Sequence, residues 1–263
     1  MLEVVIIFLI LSLVFYVLFG GADFGGGIIE LLFSKKIHEN EKNIISNAIA
    51  PVWEANHMWL IIVVVILFMG FPAVYTGIST YLHIPITAVL VGIVIRGTAF
   101  TFRHYDAIKD RSQVYYDILF KWSSLWTAFF FGVVTGAMVL GRINPDAQTF
   151  PDLFIFPWLN LFCFSIGIFT CCIFAFLASI YLIGESDDTS KPVFVSIGKT
   201  LNIATVIAGG FVFLAAYLNG FDLLSKFFGS IISTASLFLA TVSLPVLWYS
   251  LNKNFSFLTR LVA

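Results

Sequence analysis

Trp53-Glu54-Ala55-Asn56-His57-Met58-Trp59-Leu60-Ile61-Ile62-Val63-Val64-Val65-Ile66-Leu67-Phe68-Met69-Gly70-Phe71-Pro72-Ala73 decides the fold. From Met58 onward the run is apolar on every face. Its length matches the ~20 residues that a helix needs to cross a bilayer core. Six further segments share this character, at about 4–20, 79–100, 119–141, 154–183, 195–218 and 224–251. The apolar runs are continuous rather than alternating, which excludes a transmembrane β-barrel. Composition agrees: of 263 residues, 60% are hydrophobic, 17% aromatic and 11% charged, whereas a soluble domain is about 25% charged. So few charges do not cover a water-facing surface, which argues against a soluble enzyme and a disordered chain. A net charge of −1 leaves no basic patch for nucleic acid. The expected fold is all-α, a polytopic transmembrane helix bundle with seven spans. It is read as a single membrane domain over 1–263, with a four-helix half at 1–141 and a second half at 154–263.

Charge sets the expected direction. Lys35, Lys36 and Lys42 follow the first span; Arg96, Arg103, Lys109, Arg111 and Lys121 surround the link between the third and fourth. Lys191 and Lys199 follow the fifth, and Lys253 and Arg260 lie in the tail. Twelve of the 14 basic residues thus fall on one side, against Arg142 and Lys226 on the other. Positive loops stay in the cytoplasm, so the N-terminus is expected outside and the C-terminus inside. The first span lacks a basic leader and a small-residue cleavage site, so it is read as a span and not a signal peptide. Segment 154–183 exceeds one crossing and is expected to tilt or to project past the membrane. Phe255–Ala263 is apolar enough to begin a further helix but too short to cross.

Ionisable groups in lipid-embedded helices are costly, and each is a functional candidate. Asp23 lies in Gly20-Gly21-Ala22-Asp23-Phe24-Gly25-Gly26-Gly27, whose glycines permit either close helix packing or a break. It is either a hydrogen-bonding anchor for a neighbouring helix or a proton-carrying carboxylate. Glu54 and His57 are three apart and share a helix face, with Pro51 read as the opening of the second span. They fit a hydrated pair that takes protons from the cytoplasm, or a polar contact between helices. Glu-x-x-His is also the spacing of di-iron bundles, but the sequence holds no second copy. Arg96 and Arg103 are seven apart on one face. Arg103 is expected to snorkel to the headgroups; Arg96 is deeper and needs a partner, Asp23 or Glu54. Cys163, Cys171 and Cys172 read as small buried hydrophobes. The six tryptophans read chiefly as interfacial anchors. His38, His83 and His104 lie near helix ends or in loops, and no histidine has a matched partner for haem.

Three stretches then resemble one family. Gly21-Ala22-Asp23-Phe24-Gly25, Ile49-Ala50-Pro51-Val52-Trp53-Glu54-Ala55-Asn56-His57-Met58-Trp59-Leu60 and Arg96-Gly97-Thr98-Ala99-Phe100-Thr101-Phe102-Arg103 are similar, in order and spacing, to subunit II of the cytochrome bd-type ubiquinol oxidases. Lys121-Trp122-Ser123-Ser124-Leu125 continues the likeness, which is clear over 1–141 and general beyond it. The resemblance implies a non-haem subunit of a respiratory quinol:O₂ oxidoreductase in a prokaryotic cytoplasmic membrane. It implies a heterodimer with a haem-bearing subunit I, which carries haems b and d, and it allows small single-helix accessory subunits and a structural quinone. This chain alone is expected to hold no cofactor and no metal. The proton pathway is expected to use Glu54, Asp23 and His57, with Arg96, Asn56, Trp53 and Arg103 as polar or charge partners. Thr101 stands where the family often has an acid, and Glu-Ala-Asn-His replaces a commoner Asp-Gly-Asn-Gln. The family usually has eight spans, so the chain is expected to be a shortened or incomplete member. A proton- or cation-coupled transporter with Asp23, Glu54 and Arg96 at its site is the competing reading; the absent internal repeat counts against it.

Overall fold

A computed structural model describes residues 2–105, 112–253, 259, 260 and 262. Lys109 and Arg111, used in the charge asymmetry, and most of the apolar tail lie outside the described residues, as do the side chains of His104 and Lys226. Among the described residues ten helices follow one another: α1 Leu2–Leu32, α2 Glu39–Gly70, α3 Pro72–Tyr81, α4 His83–Tyr105, α5 Ser112–Leu140, α6 Phe150–Phe154, α7 Leu161–Glu185, α8 Lys191–Leu218, α9 Leu223–Phe228 and α10 Ile231–Lys253. No strand occurs among the described residues. Seven of the helices are long and apolar enough to cross a membrane. Large apolar side chains such as Leu13, Val17, Val64, Phe68 and Ile207 lie exposed around them, as a lipid-facing surface requires.

The bundle is organised by α1, which runs unbroken through its glycines. Close packing, not a break, is what they serve. A Cβ at Gly25 would strike the carbonyl of Phe174 in α7; at Gly26 it would strike Ile49 in α2; at Gly27 it would strike Ser124 in α5. Three successive residues thus let three helices approach one backbone. A second small-residue seam joins α5 to α7, where a Cβ on Gly136 would come 2.9 Å from the Cα of Cys163. One apolar core, with Phe24, Ile28, Ile49, Phe120, Phe174 and Phe194, surrounds the second half of α1. Another, with Leu82, Val133, Phe162 and Val212, lies nearer the other end of the bundle.

Several sequence-derived boundaries need correction. The second span begins at Glu39, because the His38 N–H is capped by Glu41 Oε2 at 2.9 Å and the polar stretch 39–47 stays helical. Pro51 therefore sits inside α2, not in its first turn, and leaves the carbonyl one turn earlier without its usual donor. The third expected span straddles two helices: α3 ends at Tyr81, and α4 starts at His83. Segment 154–183 is not one continuous helix. Its first residues form turns, and α7 starts where Asn160 Oδ1 accepts the Cys163 N–H at 2.9 Å. The seventh span is likewise preceded by the short α9. Ser190 ties the start of α8 to that of α2: its hydroxyl donates to Glu41 Oε1 at 2.9 Å and accepts from Asn40 Nδ2 at 2.9 Å. In the turn before α8, the Ser190 N–H bonds Asp187 and holds its carboxyl below the usual range. The second half also carries polar ties. Trp248 Nε1 donates to Asn202 Oδ1 at 2.9 Å, and Lys199 Nζ to Asn252 Oδ1 at 2.7 Å.

Candidate functional site

The heptad spacing of α1 and α4 builds the site. Residues seven apart lie two turns apart on one helix face, about 10 Å along the axis. Asp23 and Glu30 are so related in α1, and Arg96 and Arg103 in α4. The backbones of α1 and α4 do not pack closely on each other; both lie against α5. The charged side chains reach across the gap as two rungs.

The inner rung is wholly buried, with Asp23 0% and Arg96 1% exposed. Arg96 Nη2 donates to Asp23 Oδ1 at 2.6 Å and to the Asp23 carbonyl at 2.7 Å. Nη1 donates to Asp23 Oδ2 at 3.1 Å, and Nε to Ser124 Oγ at 3.0 Å. Asn56 Nδ2 adds a donor to Asp23 Oδ2 at 3.3 Å. Phe24 and Phe120 flank the guanidinium, 4.9 and 5.0 Å from its carbon. This is a bidentate pair in which four of the five guanidinium N–H groups are bonded, and such added hydrogen bonds are the condition under which a buried ion pair is tolerated. Removing one partner of such a pair costs about 3–5 kcal/mol. Of the two partners that the sequence offers Arg96, the structure brings it Asp23 and not Glu54.

The outer rung was not anticipated. Arg103 does not snorkel: it is a tenth exposed and donates to Glu30 Oε1 at 2.8 Å and Oε2 at 3.0 Å. Its Nε lies 3.1 Å from Asp117 Oδ1, and Lys121 Nζ lies 3.6 Å from Asp117 and 3.9 Å from Glu30. Phe120 serves both rungs, with the Arg103 guanidinium 4.9 Å from its ring. Arg96, Arg103 and Lys121 are thus engaged in ion pairs with α1 and α5. Sequence reasoning missed Glu30, Asp117 and Lys121 as partners. The available signal was the seven-residue step from Asp23 to Glu30, which repeats that from Arg96 to Arg103.

The α2 motif divides between two surroundings. Asn56 is buried and joins Asp23. Trp53 is half-buried, with its ring against Phe100 at 5.6 Å and His57 at 5.2 Å. The indole N–H of Trp53, the Asn56 Oδ1 and the Tyr16 hydroxyl are buried without a partner among the described residues. An unsatisfied buried polar atom costs about 1–3 kcal/mol, and two of the three, on Tyr16 and Asn56, belong to residues lining one crevice. Half-buried His57 places Nδ1 2.9 Å from the Trp53 carbonyl. A carbonyl only accepts, so Nδ1 is the donor in this contact. Glu54 is exposed on the outer face of α2 and makes no hydrogen bond or ion pair with the described residues. It therefore does not join Asp23 and Arg96 in one site, as the transporter reading requires. Thr101 is also exposed, its hydroxyl bonded to the Gly97 carbonyl at 2.9 Å.

The other singled-out residues are structural. Cys163 and Cys171 are buried; Cys172 is partly so. Trp126 donates to the Ala88 carbonyl at 2.9 Å and Trp158 to the Phe154 carbonyl at 2.7 Å, so these tryptophans fasten backbone. Among the described residues no three His, Cys, Asp or Glu converge to hold a metal ion.

Comparison with known proteins follows this geometry. The sequence model of the family described as "Cytochrome bd terminal oxidase subunit II" matches residues 1–263. The chain is 32% identical to the cytochrome bd ubiquinol oxidase subunit 2 of Bacillus subtilis (strain 168) over 123 residues, which are 46% of this chain and 32% of that protein. It is 26% identical to the cytochrome bd-I ubiquinol oxidase subunit 2 of Escherichia coli (strain K12) over 122 residues, 46% of this chain and 29% of the relative. The matched stretch therefore spans about a third of the length of these curated relatives. Among solved structures, a chain of the bd oxidase from Geobacillus thermodenitrificans superposes with a TM-score of 0.78 at 17% identity, over 99% of this chain and 79% of that one. At that identity the likeness is one of fold.

Proposed function

Because this chain belongs to the family of cytochrome bd terminal oxidase subunit II, we propose that it is the non-haem subunit of a bd-type quinol oxidase, a multi-pass protein of a bacterial cytoplasmic membrane. In this reading it stabilises a haem-bearing subunit I, where quinol is oxidised and O₂ reduced to water on haems b and d. It delivers protons to that chemistry from the cytoplasmic side, with the N-terminus outside. A quinone and small single-helix subunits are further components that the reading admits.

One observation carries the proton role. Asp23, Glu30, Arg96 and Arg103 are paired inside the bundle, whereas Glu54 stands open on an apolar helix surface. A bare carboxylate facing hydrocarbon costs several kcal/mol, so that face of α2 is best explained by water and a second polypeptide. Glu54 then collects a proton at the subunit boundary, His57 accepts it at Nε2, and Asn56 connects this pair to Asp23. The Asp23–Arg96 pair holds the inner end in place. Reversible protonation at fixed, hydrogen-bonded groups is what such a relay requires.

The test is Glu54→Gln in the assembled oxidase. Turnover and proton uptake are expected to fall by at least about tenfold, the scale of a lost proton-transfer group, with haem content unchanged. Unaltered turnover and uptake would remove Glu54 from the path.

A further inference from the structure

Beside the inner rung, Tyr16, Phe24, Asn56, His57, Leu60 and Ile93 enclose a crevice of about 160 Å³ of free space. Its inner wall is buried: Tyr16, Phe24 and Asn56. Its outer wall, His57, Leu60 and Ile93, is half-exposed. Two polar atoms of the inner wall lack partners among the described residues, the Tyr16 hydroxyl and Asn56 Oδ1. Both residues line the crevice, and a hydroxyl donates where an amide oxygen accepts. Tyr16 also lies seven residues before Asp23, as Asp23 lies before Glu30, so it extends the polar face of α1 by one more step. As the side chains stand, the free space is too divided to seat a water molecule.

We propose that this crevice is the closed form of a one-water gate between His57 and Asp23. When a half-exposed side chain of the outer wall moves aside, a single water enters. It accepts from the Tyr16 hydroxyl, donates to Asn56 Oδ1 and faces His57. A proton held on His57 Nε2 passes to this water, and the water passes a proton on toward the Asp23 carboxylate. The Nδ1–H stays on the Trp53 carbonyl throughout, so the imidazole takes up and releases its proton at one nitrogen. Charges beside the gate are Asp23 on α1 and Arg96 on α4, whereas Glu54, on the same helix as His57, faces outward. The inference rests on the proton path proposed above and assigns Tyr16 as its positioning residue.

Tyr16→Phe keeps the ring and removes the donor; Leu60→Phe plugs the crevice without touching a polar group. In the assembled oxidase both are expected to slow proton uptake about tenfold, with haem content unchanged. Tyr16→Phe is also expected to enlarge the solvent deuterium isotope effect on turnover, a change that packing loss alone does not produce. Glu54→Gln, measured alongside, separates the two levels. If Glu54→Gln slows the enzyme while Tyr16→Phe leaves rate and isotope effect unchanged, the gate is wrong and the path stands. If neither variant slows it, the path itself fails and the gate with it.

Discussion

Asp23 and Glu54 are carboxylates in apolar helices, and their surroundings are opposite. Asp23 receives donors from α4 and α2 and lies beside aromatic rings; Glu54 faces outward with no partner among the described residues. The difference teaches that pairing, rather than the mere presence of charge in an apolar segment, separates a carboxylate whose charge the fold uses from one whose charge it does not use. A carboxylate bidentate to arginine holds two helices that otherwise scarcely touch. It gives up that role if it binds a proton tightly. An unpaired carboxylate does the reverse, since nothing in the fold depends on its charge.

Breaking the inner rung is the severest test of this contrast. Arg96→Ala leaves Asp23 buried and unpaired, and it is expected to destabilise the protein by about 3–5 kcal/mol. The measurement is the thermal midpoint and yield of the complex in detergent. The double variant Asp23→Leu/Arg96→Met should recover most of that loss, because hydrophobic replacement of a whole buried pair is often neutral. If Arg96→Ala were neutral, the rung would not be architectural. The outer rung sharpens the comparison at a smaller scale. Glu30→Gln leaves Arg103 with Asp117 at 3.1 Å, so a loss of about 1–3 kcal/mol is expected from a weakened charged hydrogen bond. A loss as large as that for Arg96→Ala would mean that Asp117 does not compensate.

Much of this was legible in the residues before any coordinates. Continuous apolar runs gave seven spans, because hydrocarbon admits only helices whose backbone groups are satisfied within the segment. Arg96 was read as needing Asp23 or Glu54, since a deep guanidinium has few affordable states. Choosing between them was beyond a single sequence, because the choice depends on which face of α2 meets α1. Arg103 was read as snorkelling because its partner Glu30 sits at the end of another helix, and pairing across helices leaves only a faint seven-residue echo. Pro51 misled for a local reason: it suits a first turn, but the Glu41 cap lies further upstream. The short α3 and α9 were absorbed into neighbouring spans, since hydropathy does not register a turn between two apolar helices.

The mildest expected effect is the most discriminating. Glu54→Gln removes a charge that no described side chain contacts, so the thermal midpoint of the complex should shift by no more than about 0.5 kcal/mol allows, the usual range for a surface change. Turnover should fall in the same sample. That split between unaltered stability and lost rate is the inverse of the pattern expected at Arg96, where stability goes first and activity is lost with it. A fall in stability at Glu54 comparable with that at Glu30 would show that the carboxylate is bound by a neighbouring chain as a structural contact. The outward face of α2 would then be a second architectural rung, built between polypeptides rather than within one.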